Sequence, residues 1–136
     1  GLLIGGIMKI PSELRYTKSH EWARREAKVV VVGITDYAQK EISDVVFVEL
    51  PKLGQEVIQA KPAAVVESVK AAFDIYAPVS GKITKVNSDL EANPAIVNDD
   101  CYGAGWFFAI EMTDETQWPL LMTHQNYETH LKQEAH

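Results

Sequence analysis

Short runs of apolar, often β-branched residues separated by Gly, Pro, Asn and Asp occur along most of the chain. Val and Ile favour the pleated strand, and runs bounded by turn residues are typical of β-strands. The apolar positions alternate within residues 44–50. This alternation predicts a strand whose buried face carries Val46, Val48 and Leu50. The predicted strands include residues 28–34, 44–50, 57–58, 65–69, 74–77 and 82–86.

A second alternation lies closer to the carboxyl end, where large apolar residues recur with a period of two. Such spacing places side chains on one face of a strand, and it favours a core position over a binding surface. We therefore expect one buried strand face made of Trp106, Phe108, Ile110 and Met112.

Helix signals are fewer and shorter. The hydroxyl of Thr35 can accept from an early backbone N–H and so cap a helix over residues 36–42. Residues 88–90 suit the start of another helix, which Pro94 ends because the residue before a proline avoids the helical region. Many short strands and few helices predict a mainly β fold.

The tail is helical in character. Pro119 predicts a first helix that begins near Trp118, because proline is tolerated in a first turn and not later. A second helix over residues 124–133 would place Tyr127 and Leu131 together at i and i+4.

Length and charge narrow the class of protein. A chain of 136 residues can form one domain with its own core, and its net charge of −6 disfavours nucleic acid, whose phosphates attract basic surfaces. The glycine-rich start lacks a positive charge and is too short for a membrane helix. Within residues 1–8, we expect residues 1–7 to be an expression remnant, with a native extension as the alternative, and Met8 to be the initiator. Residues 9–136 are expected to form a single domain.

No catalytic constellation is evident. Cys101 is the one cysteine, which excludes an internal disulfide, is compatible with a reducing compartment and predicts a buried or turn residue rather than a reactive thiol. The pair His20-Glu21 does not open a metalloprotease motif, because Arg24 stands where the second histidine belongs. The four histidines show no metal-ligand spacing along the sequence, so no metal is expected.

One lysine stands between two predicted strands. The β-prone runs at residues 65–69 and 74–77 flank a short break that contains Lys70, and this pattern is typical of a hairpin. An arbitrary hairpin of this kind would present a solvated lysine, because exposed lysines are the rule.

The residues around Lys70 are 67–72 (ESVKAA) and 74–81 (DIYAPVSG). Five further motifs occur in order between about residues 16 and 127: 16–22 (YTKSHEW), 33–39 (GITDYAQ), 44–51 (DVVFVELP), 97–99 (VND) and 102–106 (YGAGW). Together these motifs resemble glycine cleavage system H proteins, and the residues around Lys70 resemble the lipoyl-attachment hairpin of that family. The resemblance implies a flattened barrel-sandwich hybrid like that of lipoyl domains, with short helices and a C-terminal helical tail.

The resemblance also implies a non-catalytic carrier with lipoic acid in amide linkage to Lys70. Its partners would be a pyridoxal-phosphate glycine decarboxylase, a tetrahydrofolate-dependent aminomethyltransferase, dihydrolipoamide dehydrogenase and a lipoate-attaching enzyme. In that cycle the arm receives the aminomethyl group of glycine, passes it on and is re-oxidised. A monomer in the cytoplasm, or in the mitochondrial matrix of a eukaryote, is implied, with no membrane partner.

Further site residues carry over from the same resemblance. Glu67 and Gly54 match positions associated with recognition by the lipoate-attaching enzyme. Ser19, Glu21 and Asp74 match positions that line the cleft for the loaded arm. Carboxylates suit such a cleft because an aminomethyl amine is cationic.

This chain departs from the usual family pattern at a few positions, and other functions remain open. Phe73 stands where a serine is usual, and residues 61–63 replace a typical Gly-Asp turn. An H-like paralogue that donates lipoate to another enzyme, or that carries lipoate in another pathway, is one alternative. A biotinyl domain is another, although Val69 and Ala71 replace the methionines typical there. A small enzyme that uses Cys101 or a histidine, and an unmodified β scaffold, complete the set.

Overall fold

The computed structural model describes residues 8–134, which form nine β-strands, four α-helices and one 3-10 helix. The prediction of an expression remnant at residues 1–7 lies outside the described residues. The strands are β1 (Arg15–Tyr16), β2 (Glu21–Glu26), β3 (Val29–Ile34), β4 (Val45–Glu49), β5 (Glu56–Val57), β6 (Pro62–Ser68), β7 (Ala72–Tyr76), β8 (Gly81–Val86) and β9 (Phe108–Met112). The helices are α1 (Asp36–Ile42), α2 (Asp89–Ala92), α3 (Ile96–Asp99), the 3-10 helix (Glu115–Leu120) and α4 (His124–Glu134).

The strands form two antiparallel sheets. Six strands pair in the order β1-β2-β3-β9-β8-β5, and three pair in the order β4-β6-β7. The two sheets are not closed into a barrel, and apolar side chains from both meet in one large core. The prediction of a mainly β fold with short helices and a C-terminal helix is confirmed.

Strand β3 is fully buried on one face and half-buried on the other, which explains its unbroken run of valines. Val30 and Val32 belong to the large core, whereas Val31 packs against a second cluster on the other face of the sheet. The buried residues of this second cluster come from the segment before β1 and from β1, β2 and α4. They are Leu14, Tyr16, Trp22, Tyr127 and Leu131.

Two of the sequence motifs contact each other directly in this second cluster. Gly33 of β3 pairs with Trp22 of β2, and a Cβ added to Gly33 would lie 2.5 Å from the indole ring. The indole Nε1–H donates to the carbonyl of Cys101 over 2.8 Å. Gly33 is therefore required by the ring that covers it, and Trp22 joins the sheet to the loop at Cys101.

The predicted face of β4 is correct at Val48 and wrong at Val46. Val45 is buried and Val46 is 55% exposed, while Val48 is buried as expected and Leu50 is half-buried. The pairing with β6 slips between Val45 and Phe47, which leaves Val46 as the extra residue of a β-bulge. The bulge reverses the alternation at its amino-terminal side.

The second predicted face is correct for three of its four residues. Phe108, Ile110 and Met112 lie in the core on β9. Trp106 does not share their face, because the turns over residues 101–105 delay the strand until Phe108. Trp106 instead packs, half-buried, against the second cluster.

In the tail, the predicted start of the first helix is wrong and the second helix is confirmed. The 3-10 helix begins at Glu115, capped by the Asp114 carboxylate, which accepts from the Thr116 N–H over 3.0 Å. Helix α4 buries Tyr127 and Leu131 completely, as the i, i+4 spacing predicts. None of the helices in residues 8–134 is long and apolar enough to cross a membrane.

Helix α1 is confirmed with the predicted bounds and cap. The Thr35 hydroxyl accepts from the Ala38 N–H over 3.2 Å, and the helix runs from Asp36 to Ile42. Its carboxyl end leads into β4, which pairs with β6 and so lies beside the hairpin of β6 and β7 in the same sheet.

Candidate functional site

The hairpin of β6 and β7 places Lys70 at its tip, as predicted. The last paired residues are Glu67 and Ala72, and Ser68 closes the turn through its N–H, which donates to the Ala71 carbonyl over 2.9 Å. The Ser68 hydroxyl also accepts from the Lys70 N–H over 3.0 Å and lies 3.3 Å from the Ala71 nitrogen. Ser68 is buried while Lys70 is exposed, so one side chain fixes the turn from below.

The tip is also hydrogen-bonded to the carboxyl end of α1 and to the residue that precedes β4. The Val69 N–H donates to the Asp44 carbonyl over 3.0 Å. The Lys70 ammonium donates over 2.9 Å to the carbonyl of Glu41, in the last turn of α1, where helix carbonyls lack partners of their own. The lysine nitrogen therefore has a defined position although its side chain is exposed.

Asn98 hydrogen-bonds the segment between α1 and β4, which contacts the hairpin tip. Its amide accepts from the Val45 N–H over 2.9 Å and donates to the Ser43 carbonyl over 2.8 Å and to Gln39 over 3.1 Å. Asn98 was not predicted as a site residue, although it lies in the motif over residues 97–99. Its function is to fix the connection between α1 and β4.

A cavity of about 270 Å³, called here the smaller cavity, opens beside the tip. Glu41 is in its wall, and the Glu41 carbonyl accepts from the Lys70 ammonium, so the amine is one hydrogen bond away from a wall residue. Ser19 and Asp74, both predicted cleft residues, also line it. Its apolar wall consists of Ile34, Tyr37, Ala38, Ile42, Val66, Phe73 and Ile75.

A larger cavity of about 480 Å³ lies on the other side of Ser19, which lines both. Glu21 is in its wall and is only 1% exposed. One carboxylate oxygen accepts from the hydroxyls of Thr17 and of Ser19, the latter over 2.6 Å. The other accepts from the Tyr76 N–H over 3.0 Å. The structure thus brings Ser19 and Glu21 into direct contact and adds Thr17 and Tyr76, which sequence analysis missed.

The electrostatics of Glu21 follow from its burial. Removal from water raises the pKa of this carboxyl, and the hydrogen bonds from Ser19, Thr17 and the Tyr76 backbone oppose the rise. Asp74 differs, since its side chain on β7 is exposed. The candidate cleft therefore contains one buried and one exposed acid.

The two predicted recognition residues lie apart. Glu67 is exposed on β6 and directly precedes the turn, paired with Phe47 on one side and Ala72 on the other. Gly54 follows the end of β4 remote from the tip, with a φ of 83° that favours glycine, and donates to the Ile83 carbonyl over 2.8 Å. Only Glu67 adjoins Lys70.

Cys101 is buried, as predicted. Burial raises the pKa of its thiol to about 12, so the thiolate needed for nucleophilic chemistry is scarce at neutral pH. Its backbone carbonyl accepts from the Trp22 indole, while burial and the neighbouring carboxylates of Asp36 and Asp100 disfavour the thiolate.

Comparison with known proteins identifies the family. The family model described as "Glycine cleavage H-protein" matches residues 14–134. A glycine cleavage system H protein of Endomicrobium trichonymphae is 52% identical over 120 residues, which cover 88% of this chain and 97% of that protein. One from Bradyrhizobium diazoefficiens is 52% identical over 115 residues, or 85% of this chain and 94% of the relative.

A solved structure agrees with the sequence relatives. The crystal structure of a glycine cleavage system H protein from Mycobacterium marinum superposes with a TM-score of 0.79 at 37% identity, and covers 87% of this chain and 95% of that one. With the family model and the relatives, this places the chain in the glycine cleavage H-protein family, as a carrier subunit and not an enzyme.

Proposed function

We propose that Lys70 is the site of covalent lipoyl attachment, and that the chain carries the aminomethyl group of glycine between the enzymes of the glycine cleavage system. The observation that carries the proposal is the position of Lys70: an exposed amine on a fixed turn, hydrogen-bonded to a residue in the wall of the smaller cavity. Family membership supports the same assignment.

The residues present fit a lipoyl group. The amine is accessible, and an amide at Nζ would keep one N–H to donate to the Glu41 carbonyl while losing the positive charge. The neighbouring cavity has a mainly apolar wall that suits a hydrocarbon arm. When bound, the group would supply a dithiolane that opens and closes by thiol–disulfide exchange.

The cleft residues would hold a cationic amine. Glu21 offers a buried carboxylate whose hydrogen bonds from Ser19 and the Tyr76 backbone fix its position in the larger cavity. Charge-assisted hydrogen bonds to such a group are stronger than neutral ones. Asp74 lines the smaller cavity and would add a second, solvent-screened attraction. Ser19 lines both cavities and donates a hydrogen bond to Glu21.

Phe73, the bulky departure from the family pattern, has a structural place. It pairs with Val66 across the hairpin, is half-buried against the core and forms part of the smaller cavity wall. Its ring therefore adds apolar surface to the proposed resting place of the arm. This placement is compatible with a working carrier.

The partners in this proposal are the glycine decarboxylase, the aminomethyltransferase, dihydrolipoamide dehydrogenase and the lipoate-attaching enzyme, with Glu67 and Gly54 as recognition residues for the last. The fixed turn would help each partner find the same lysine, and tethering would raise the effective concentration of the arm in a docked active site. A monomeric carrier in the cytoplasm, or in the mitochondrial matrix of a eukaryote, completes the proposal.

The decisive test is incubation of the full chain with a lipoate-attaching enzyme, ATP and lipoate, followed by intact mass and peptide mapping. We expect one lipoyl adduct, on Lys70. Lys70→Arg should abolish it and keep the fold, because a guanidinium that is always protonated cannot form the amide. Lys61→Arg, at an exposed lysine beside the other end of the hairpin, is the matched control and should be modified normally. An adduct retained in Lys70→Arg would refute the site.

The lipoylated chain is then offered to glycine decarboxylase with glycine. Gain of an aminomethyl mass supports the carrier role. A lipoylated chain that stays unloaded, yet passes lipoate to another enzyme, would identify the lipoate-relay paralogue instead.

A further inference from the structure

Two histidines and one carboxylate converge where the turn before β2 meets α4. Nε2 of His20 lies 3.0 Å from one oxygen of Glu134, and Nε2 of His130 lies 2.9 Å from the other. The ligand atoms of all three lie within 4.8 Å of one another. Sequence analysis missed this group, called here the His-His-Glu cluster, because His20 and Glu134 come from opposite ends of the chain.

Helix α4 presents two members of the cluster on one face. His130 and Glu134 are four residues apart, the spacing by which a helix directs two side chains at one metal ion. The rotation of the helix is fixed by Tyr127 and Leu131, which are completely buried on its inner face. A bound cation would also offset the negative charge that Glu134 adds to the carboxyl end of the helix.

His20 is positioned by its backbone and by its second ring nitrogen. Its φ of 74° lies in the left-handed region that non-glycine residues seldom adopt. Nδ1 lies 2.8 Å from the Tyr127 hydroxyl, which lies 2.7 Å from that of Thr35. A hydrogen bond at one imidazole nitrogen is the usual means of orienting the other toward a metal.

We propose that the His-His-Glu cluster is a Zn²⁺ site. Two imidazoles and one carboxylate form a ligand set typical of zinc sites that keep a fourth position for water or another ligand. Tetrahedral zinc separates its ligand atoms by about 3.3 Å. The two histidine–carboxylate contacts of 3.0 and 2.9 Å, and the limit of 4.8 Å for any pair in the cluster, differ from this value by distances that side-chain rotations can close. Side-chain exposures of 15%, 20% and 36% for His20, His130 and Glu134 leave the site accessible to an ion.

The site adjoins the smaller cavity, because His20 and Glu134 are both in its wall. Zinc there would also clamp α4 to the turn before β2. Binding to the folded chain alone would therefore raise its melting temperature. The inference does not depend on the lipoyl proposal, since the three ligand residues belong to the polypeptide itself.

The test is a calorimetric titration of chelator-treated full chain with ZnCl₂, in a Lys70→Arg background that removes any contribution from a lipoyl dithiol. We expect one Zn²⁺ per chain and a rise in melting temperature. His130→Ala and Glu134→Gln should each weaken binding by about tenfold or more. Their helix content, measured by circular dichroism without zinc, should match the parent.

Matched controls separate the cluster from incidental histidines. His124→Ala, on the first turn of the same helix, and His136→Ala should both bind zinc like the parent. The proposal is overturned if the parent shows no saturable binding. Equal losses in the controls and in His130→Ala would overturn it as well.

Discussion

Glu21 and Asp74 carry the same charge and were assigned the same role, yet the fold gives them opposite surroundings. Glu21 is 1% exposed, and its carboxylate accepts three hydrogen bonds from Thr17, Ser19 and the Tyr76 backbone. Asp74 is exposed on β7 at the edge of the smaller cavity. Hence Glu21 must contribute to folding as well as to any cargo contact, whereas Asp74 can act on the cargo alone.

If both acids line the cleft for the loaded arm, as proposed, this difference would let the carrier hold a charged cargo and still release it. A buried carboxylate attracts a cation strongly but has a fixed cost of burial, and an exposed one attracts it weakly at little cost. With both present, affinity can be adjusted at Asp74 without disturbing the fold. Substitutions at the two acids should therefore have different effects on stability and on retention of the cargo.

The largest expected effect is that of Glu21→Ala on stability. The substitution leaves the Tyr76 N–H without its partner and opens a void beside Ser19, which together should lower the free energy of unfolding by about 2–3 kcal/mol. Urea denaturation measures the change. Glu91→Ala, at an exposed helical position, is the control and should change it by no more than about 0.5 kcal/mol. Equal losses in the two variants would contradict a structural role for Glu21.

A smaller effect is expected in the pH dependence of stability. Burial raises the folded-state pKa of Glu21 above its usual 4.5. Between pH 4.5 and that higher folded-state pKa, the folded chain therefore binds more protons than the unfolded chain. The free energy of unfolding should fall as pH rises through that window, by at most about 1.4 kcal/mol per pH unit. Glu21→Gln should remove this slope. Denaturation of wild type and variant from pH 4 upward, in steps of about half a unit, measures it, and parallel profiles would refute the assignment.

The smallest effect is expected for Asp74→Asn. The free energy of unfolding should stay within about 0.5 kcal/mol of wild type, because the side chain is exposed. In the lipoylated and loaded chain, loss of one screened attraction should speed disappearance of the aminomethyl mass about twofold to fivefold. Intact mass recorded over time measures that rate. A change in stability as large as that of Glu21→Ala would erase the contrast between the two acids.

Features set by local sequence were predictable. Thr35 caps α1 with its own hydroxyl, and the hairpin tip is specified by two β-prone runs and a short break, so both appear in the sequence pattern. The bulge at Val46 was not predictable, because it arises from the register between β4 and β6.

Contacts between segments far apart in the chain could not be predicted from the sequence either. The need for glycine at position 33 could not be predicted, because it arises only when strand pairing places Gly33 under the Trp22 ring. The contact between His20 and Glu134 spans 114 residues, and no spacing along the chain signals it. Family resemblance supplied Ser19 and Glu21 as a site, but the hydrogen bonds of Thr17 and Tyr76 that fix the carboxylate needed the folded chain.

The serine beneath the hairpin tip has a consequence for engineering. Because the Ser68 hydroxyl and backbone bonds shape the turn, the side chains of Val69, Lys70 and Ala71 are all exposed and none is needed to form it. The three displayed side chains should therefore tolerate substitution without loss of the turn, as long as the Asp44 carbonyl, which accepts from the Val69 N–H, stays in place. A graft of this hairpin would accordingly have to include the segment that contains Asp44.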